Sequence, residues 1–156
     1  MVMPNLFDRK LATRMITGTH EFWYRLTGGW VGGNILGTPI LLLETKGRKS
    51  GRVRTTPLLY LRDGDDMVVV ASYGGSDHDP DWWRNLADDP QATVQVMSDR
   101  TPVRAQRASA TEKERLWPRL TRMYPQYDAY QRRTSRDIPV VILRPQGNGA
   151  GSDSAS

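Results

Sequence analysis

The chain contains no cysteine. Disulfides, thiolate metal sites and cysteine nucleophiles are therefore excluded, and a reducing compartment is compatible. Histidine occurs only at His20 and His78, a separation that fits no zinc-binding spacing, so no metal site is expected. No apolar run approaches the ~20 residues of a membrane span, and the start of the chain carries no recognisable signal peptide, so a cytoplasmic protein is expected. The net charge of +5 is mild and concentrated in one loop, which argues against a surface spread for duplex DNA. Internal repeats are absent. The 156 residues, 38% hydrophobic and 25% charged, suit one soluble domain with a real core.

The positive charge gathers in the stretch Glu44-Thr45-Lys46-Gly47-Arg48-Lys49-Ser50-Gly51-Arg52-Val53-Arg54, entered from the apolar run 39–43 and left through 58–61. Lys46, Arg48, Lys49, Arg52 and Arg54 repel one another unless an anion sits among them. Gly47 and Gly51 suit a tight reversal. Exposed amides at such a turn, with Arg and Lys beside them, fit a phosphate or a row of carboxylates. An ordinary solvated hairpin tip is the alternative. The spacing Gly-x4-Gly-Lys-Ser/Thr of a Walker A loop is missing.

Apolar periodicity over 6–26 predicts a basic amphipathic helix, which packs on its own domain or lies on an anionic membrane surface. The glycine-rich 28–33 stretch reads as a connector or a pocket lid. Strands are expected over 39–45, 56–62 and 67–72, the last two joined by a turn at Asp63-Gly64-Asp65. The third is apolar throughout, as in a strand buried on both faces, and ends in Ser72-Tyr73-Gly74-Gly75, where the backbone offers close approach to a ligand. Asp79 as N-cap and Pro80 at the first position start a short helix bearing Trp82 and Trp83, which are core or the wall of a flat ring. Strands over 93–97 and 103–108 follow, with Ser98-Asp99-Arg100 as their turn. A capping box at Thr111 to Glu114 opens a helix in whose first turns Pro118 falls. A short helix with Tyr127 and Tyr130 and a last strand over 138–143 complete the domain. The 146–156 tail has too little to bury and is expected to be disordered.

About six strands joined mainly by hairpins predict an α+β fold, an antiparallel sheet curled into a small barrel with peripheral helices. The organisation expected is an N-terminal helix and connector over 1–33, the barrel over 34–145 and the tail.

Three motifs occur in order: Thr45-x-Gly47-Arg48-Lys49-Ser50-Gly51-x-x-Arg54-x-x-Pro57-Leu58, then Pro80-x-Trp82-x-x-Asn85-Leu86, then Tyr124-Pro125-x-Tyr127-x-x-Tyr130 with Thr134-x-Arg136-x-Ile138-Pro139. With them the chain resembles, over about 22–145, the deazaflavin (F420)-dependent nitroreductases and F420H2-dependent quinone reductases of the split β-barrel type. The resemblance implies a reduced deazaflavin coenzyme, F420, bearing a phosphodiester and an oligoglutamate tail, a polyanion suited to the basic loop. It places Lys49 and Arg54 at phosphate-binding positions with Arg48 and Pro57 beside them. Ser72, Tyr73, Gly74 and Gly75 match the segment lining the deazaflavin head group, and Trp82 matches an aromatic near that ring. Tyr124 belongs to the same cofactor set, and Tyr127 and Tyr130 match tyrosines facing the acceptor pocket.

The implied reaction is hydride transfer to a quinone, nitroaromatic or activated-alkene acceptor. Ser72, Tyr127 and Tyr130 are the candidate catalytic hydroxyls, with Tyr127 first choice as proton donor; the alternative is that the tyrosines only hold the last helix on the barrel. Some relatives have a tyrosine after the Pro-Leu pair and a lysine after the serine, where this chain has Leu59 and Tyr73. That changes the pocket wall and bears on acceptor choice. The competing functions are a flavin mononucleotide enzyme on the same barrel, a non-catalytic deazaflavin carrier, and a nucleic-acid module stacking bases on exposed tryptophans. A quinone acceptor would make peripheral contact of the N-terminal helix with the inner face of the membrane useful.

Overall fold

The chain divides into two compact units, Met1–Gly37 and Thr38–Ser156. The computed structural model describes residues 39–146, all within the second. The expected N-terminal helix, glycine-rich connector and domain boundary at 33 lie outside the described residues, as does the expected 146–156 tail beyond Gln146, whose N–H donates to Pro102 O at 2.8 Å.

Seven strands form one antiparallel sheet: β1 (Ile40–Lys46), β2 (Val53–Leu59), β3 (Leu61–Asp63), β4 (Asp66–Val70), β5 (Gln91–Val96), β6 (Asp99–Arg107) and β7 (Val140–Pro145), in the order β2-β1-β5-β6-β7-β4-β3. Among the described residues three α-helices accompany them, α1 (Asp81–Asp88), α2 (Ala110–Met123) and α3 (Gln126–Arg133). The expected 56–62 strand is two strands. At Tyr60 the chain turns inward, its side chain joining the core and its N–H donating to Pro39 O at 3.1 Å. The two edge strands, β2 and β3, are thereby separated by one residue, so the sheet edges meet at that corner and the sheet must curl. This is the expected split barrel, with seven strands in place of six.

Strand alternation sorts the buried residues into two layers. Leu41, Leu43, Leu58, Met67, Val69, Val94, Val103, Val141 and Leu143 form one cluster inside the barrel, joined by Trp82 and Leu86 of α1. Val68 and Val70, paired with Ile142 and Val140, point to the other side of the same strands and are equally buried. Leu116 and Leu120 of α2, both fully buried, belong to the helical layer outside that part of the sheet. Ion pairs fix where α2 lies, since Arg115 and Arg119 both reach Asp63 at the end of β3 and Lys113 Nζ donates to Ile138 O ahead of β7. β4 is buried on both faces, as its composition predicts.

Local chemistry relocates three expected features. The capping box is Ser109 with Glu112: Glu112 N donates to Ser109 Oγ at 3.1 Å and Ser109 N to Glu112 Oε1 at 3.0 Å. It begins two residues before the expected Thr111 because Ser109-x-x-Glu112 meets the same rule next to the end of β6. Pro118 consequently lies mid-helix. Its ring removes one backbone bond, but Glu114, whose carbonyl loses that donor, is exposed, so water can satisfy it. Asp79 does not cap α1, whose N-cap is Pro80 without a side-chain cap bond; the Asp79 carboxylate is taken by Arg136 Nη1 at 2.7 Å. The β5–β6 turn is tighter than expected, with Val96 paired to Asp99 and Met97 at φ 54°.

Candidate active site

The basic stretch is the β1–β2 hairpin. Gly47 N donates to Arg52 O and Gly51 N to Gly47 O, both at 2.8 Å. Gly51 takes φ +72°, the left-handed conformation expected of it. Gly47 is needed for space instead, since a Cβ there would stand 2.8 Å from Ser50 Oγ and 3.1 Å from Arg52 O.

α1 grips this hairpin from the barrel end. Asn85, only 4% exposed, accepts at Oδ1 from Arg48 N (3.2 Å) and Arg48 Nη1 (2.9 Å), while its Nδ2 donates to the buried Thr45 Oγ1 at 3.2 Å. The Arg48–Asp81 pair at 3.4 Å adds little, because Asp81 is open to solvent. Arg54 pairs with Thr45 in the β1–β2 register, so the two side chains share the sheet face that Asn85 reaches. Lys49, Arg52 and Arg54 are exposed, and none forms an ion pair among the described residues. Pro57 is buried on the opposite, outer face, paired with Leu42. The structure therefore separates it from Arg54. That outer face also carries a shallow cleft of about 240 Å³ lined by Glu44, Lys46, Val53, Gln91 and Thr93 among others, and no predicted site residue lies in it.

The second half of the site follows β4. Ser72 is 1% exposed, and its Oγ is a buried side-chain polar atom that finds no hydrogen-bond partner. After it the chain makes a single 3₁₀ turn, Tyr73–Gly75, with Gly75 N donating to Ser72 O (2.9 Å) and Ser76 N to Tyr73 O (3.1 Å). Tyr73, Gly74 and Gly75 all have positive φ, 46°, 64° and 82°. The two glycines differ in purpose. A Cβ on Gly74 would meet nothing within 4 Å, so the backbone is open to a ligand there; at Gly75 it would stand 2.9 Å from Tyr130 O and 3.0 Å from Tyr130 Cα. The close approach at Gly75 is thus to α3. Tyr73 itself is half exposed.

The tyrosines lie against this turn. Tyr124 and Tyr130 join hydroxyls at 3.1 Å. Tyr127 packs edge-on to Tyr124 at 4.9 Å between centroids and tilted to Trp117 at 6.3 Å. All three are buried. Burial, followed by the neighbouring Tyr130, pushes the Tyr127 hydroxyl well above the usual phenol range, and burial with the Tyr130 hydrogen bond does the same for Tyr124. Both phenols stay protonated at neutral pH and act as neutral hydrogen-bonding groups. Trp82 is 5% exposed inside the barrel cluster, where it anchors α1.

The basic hairpin, α1 and the Ser72–Gly75 segment emerge at one end of the barrel. An orphaned buried hydroxyl, an open glycine backbone and uncompensated cations at that end fit a ligand with a hydrogen-bonding ring and an anionic tail. Residues 17–145 match the F420H(2)-dependent quinone reductase family. The chain belongs to that family. An F420H(2)-dependent quinone reductase of Mycobacterium tuberculosis (strain H37Rv) is 41% identical over 128 residues, spanning 80% of this chain and 86% of its own. A second protein of that strain is 49% identical over 108 residues, 69% of this chain and 91% of its own. A solved F420-H2 dependent reductase, FDR-A, superposes with a TM-score of 0.63 at 36% identity, over 68% of this chain and 94% of that one. The family is one of oxidoreductases and its cofactor is reduced F420.

Two contributors escaped the sequence reading of the site. Asn85 and Arg136 stand inside the quoted motifs, but the partners that give them meaning, Arg48 and Ser72, are 37 and 64 positions away. Among the described residues no group of side chains could hold a metal ion, and no helix is long and apolar enough to cross a membrane.

Proposed function

We propose that the protein transfers a hydride from reduced F420 to a quinone, and that nitroaromatic and activated-alkene acceptors share the same site. One observation carries the reading: α1 ties the basic hairpin, through Asn85 and Arg48, to the segment bearing the unpartnered Ser72 hydroxyl; the Ser72 carbonyl shares the Arg136 guanidinium with Asp79 just ahead of the helix.

Lys49 and Arg54 take the phosphodiester and tail carboxylates, and Arg48, held at its base by Asn85, sets their approach. Ser72 Oγ donates to the ring system, and Gly74 leaves its backbone free for close approach. The coenzyme, when bound, supplies the hydride. Negative charge then grows on the acceptor. Tyr127 and Tyr130 meet it as hydrogen-bond donors; burial favours the protonated Tyr127 phenol, so a water, or Tyr127 resupplied from water, completes the protonation. Trp82 acts by fixing α1 beneath the site, and Tyr124 by orienting Tyr130. Tyr73 offers a neutral, half-exposed ring at the rim, which suits a flat quinone.

The test is a fluorescence titration of the full chain with F420, flavin mononucleotide as control, followed by quinone-dependent oxidation of the reduced coenzyme. Saturable binding of F420 alone and quinone-dependent turnover are expected. Preference for flavin mononucleotide, or binding without turnover, would replace this reading by a flavin enzyme or a carrier. In the same assay Lys49→Ala with Arg54→Ala should weaken coenzyme binding at least about tenfold, more so at low salt, with the fold intact.

A further inference from the structure

Arg136, in the link between α3 and β7, commits its whole guanidinium to one segment of chain. Nε and Nη2 both donate to Ser76 O, at 3.1 and 3.0 Å; Nη1 donates to Ala71 O at 3.1 Å and to Asp79 Oδ1 at 2.7 Å; Nη2 also donates to Ser72 O at 3.0 Å. The side chain is only 14% exposed, and the Arg136 N–H is held by Thr134 Oγ1, which itself donates to Asp77 Oδ1 at 2.8 Å.

The carbonyls it grips bracket an unfavourable run. Tyr73, Gly74 and Gly75 all occupy positive φ, and for Tyr73 that conformation costs about 1–2 kcal/mol. Such a conformation persists where its surroundings over-determine it. Arg136 fixes Ala71 and Ser72 before the run and Ser76 after it. Next to the gripped Ser72 carbonyl, Ser72 Oγ is buried and unpartnered, a costly state for a polar group that has no ligand to meet.

We propose that Arg136 is a positioning residue: it presets the left-handed run and the Ser72 hydroxyl for the deazaflavin ring. It touches neither coenzyme nor acceptor. The proposal rests on the F420 reading and concerns the ring end of the site alone, whereas Asn85 and Arg48 serve the anionic tail. Lysine at 136 keeps the charge but lacks the planar fork that reaches several carbonyls at once.

The experiment compares wild type, Arg136→Lys, Arg136→Ala and Asn85→Ala as full chains. Binding is measured with F420 and with its ring-and-ribityl fragment, which has no phosphodiester or tail, and amide hydrogen exchange is read at Gly75 and Ser76. Both Arg136 variants should bind the ring fragment about tenfold more weakly and lose protection at those two amides while the barrel strands keep theirs. Added methylguanidinium should restore part of the affinity of Arg136→Ala. Asn85→Ala should lose affinity for F420 and keep it for the fragment. A merely structural arginine would lower the melting temperature and leave fragment affinity unchanged in the folded protein, which overturns the proposal. Should both Arg136 variants fail to fold, Asp79→Asn weakens the same clamp; a severalfold loss of fragment affinity supports the proposal and unchanged affinity overturns it. Wild-type protein that binds neither probe removes the F420 reading, and the proposal with it; wild type that binds both while Arg136→Lys matches it removes the proposal only.

Discussion

Arg48 and Asn85, 37 positions apart, are joined twice: Asn85 Oδ1 receives both the backbone N–H and the Nη1 of Arg48. One carboxamide therefore sets the path of the hairpin and the direction of its innermost cation. Its other end donates to Thr45 Oγ1, so the one side chain ties the hairpin to β1. Asn85→Ala leaves the buried Thr45 Oγ1 and the part-buried Arg48 N–H short of a partner and should lower stability by about 1–3 kcal/mol, measured by denaturant unfolding, with F420 affinity falling beyond what unfolding explains.

Ser72 makes the opposite prediction. Its hydroxyl contributes no hydrogen bond to the fold, so Ser72→Ala removes only a desolvated polar atom. The melting temperature should stay level or rise, while coenzyme affinity or turnover falls about tenfold. A clear loss of stability would show that the hydroxyl serves the fold.

Gly74 and Gly75 separate strain from collision. Alanine at either must accept positive φ, a penalty of about 1–2 kcal/mol. At Gly75 the added methyl also meets Tyr130 backbone atoms at 2.9 and 3.0 Å, while at Gly74 it meets nothing. Gly75→Ala should be the more destabilising by at least about 1 kcal/mol, and urea unfolding of the two variants checks the order.

Asp63 predicts the acid limb of stability. Hydrogen bonds from Arg115 and then Arg119 hold its carboxyl at about 2, below the ordinary 3.8. The native carboxylate is thus favoured. Its stabilisation is complete above the unfolded value near 4 and is lost as the pH falls through about 2. Asp63→Asn should lower the melting temperature by a few degrees at pH 7, and the difference from wild type should vanish toward pH 2. Thermal melts across that range check it.

Much of this was legible in the residues. Apolar runs and turn signals located nearly every strand, because pairing a buried face with a tight reversal is a local matter. The doubled strand at Tyr60 was not legible: Leu58-Leu59-Tyr60-Leu61 is apolar without interruption, and only closure of the sheet decides where it bends. The position of the capping box went astray for a related reason, two candidate boxes overlapping and the end of β6 choosing between them. Asp79 had the composition of a cap and became an ion-pair partner because Arg136, 57 positions on, reaches it first.

The site divides along the same line. The order of residues settles the chemistry available: no thiol, two histidines, a dense cluster of cations, a serine ahead of two glycines, and the spaced tyrosines that mark the family. Those are properties of side chains and short spacings, which no fold alters. Tertiary structure alone decided which of them meet. It drew Asn85 to Arg48, turned Gly75 toward Tyr130, and left Ser72 without a partner. Each of these depends on contacts between distant parts of the chain, whose geometry is fixed only when the sheet has curled and packed.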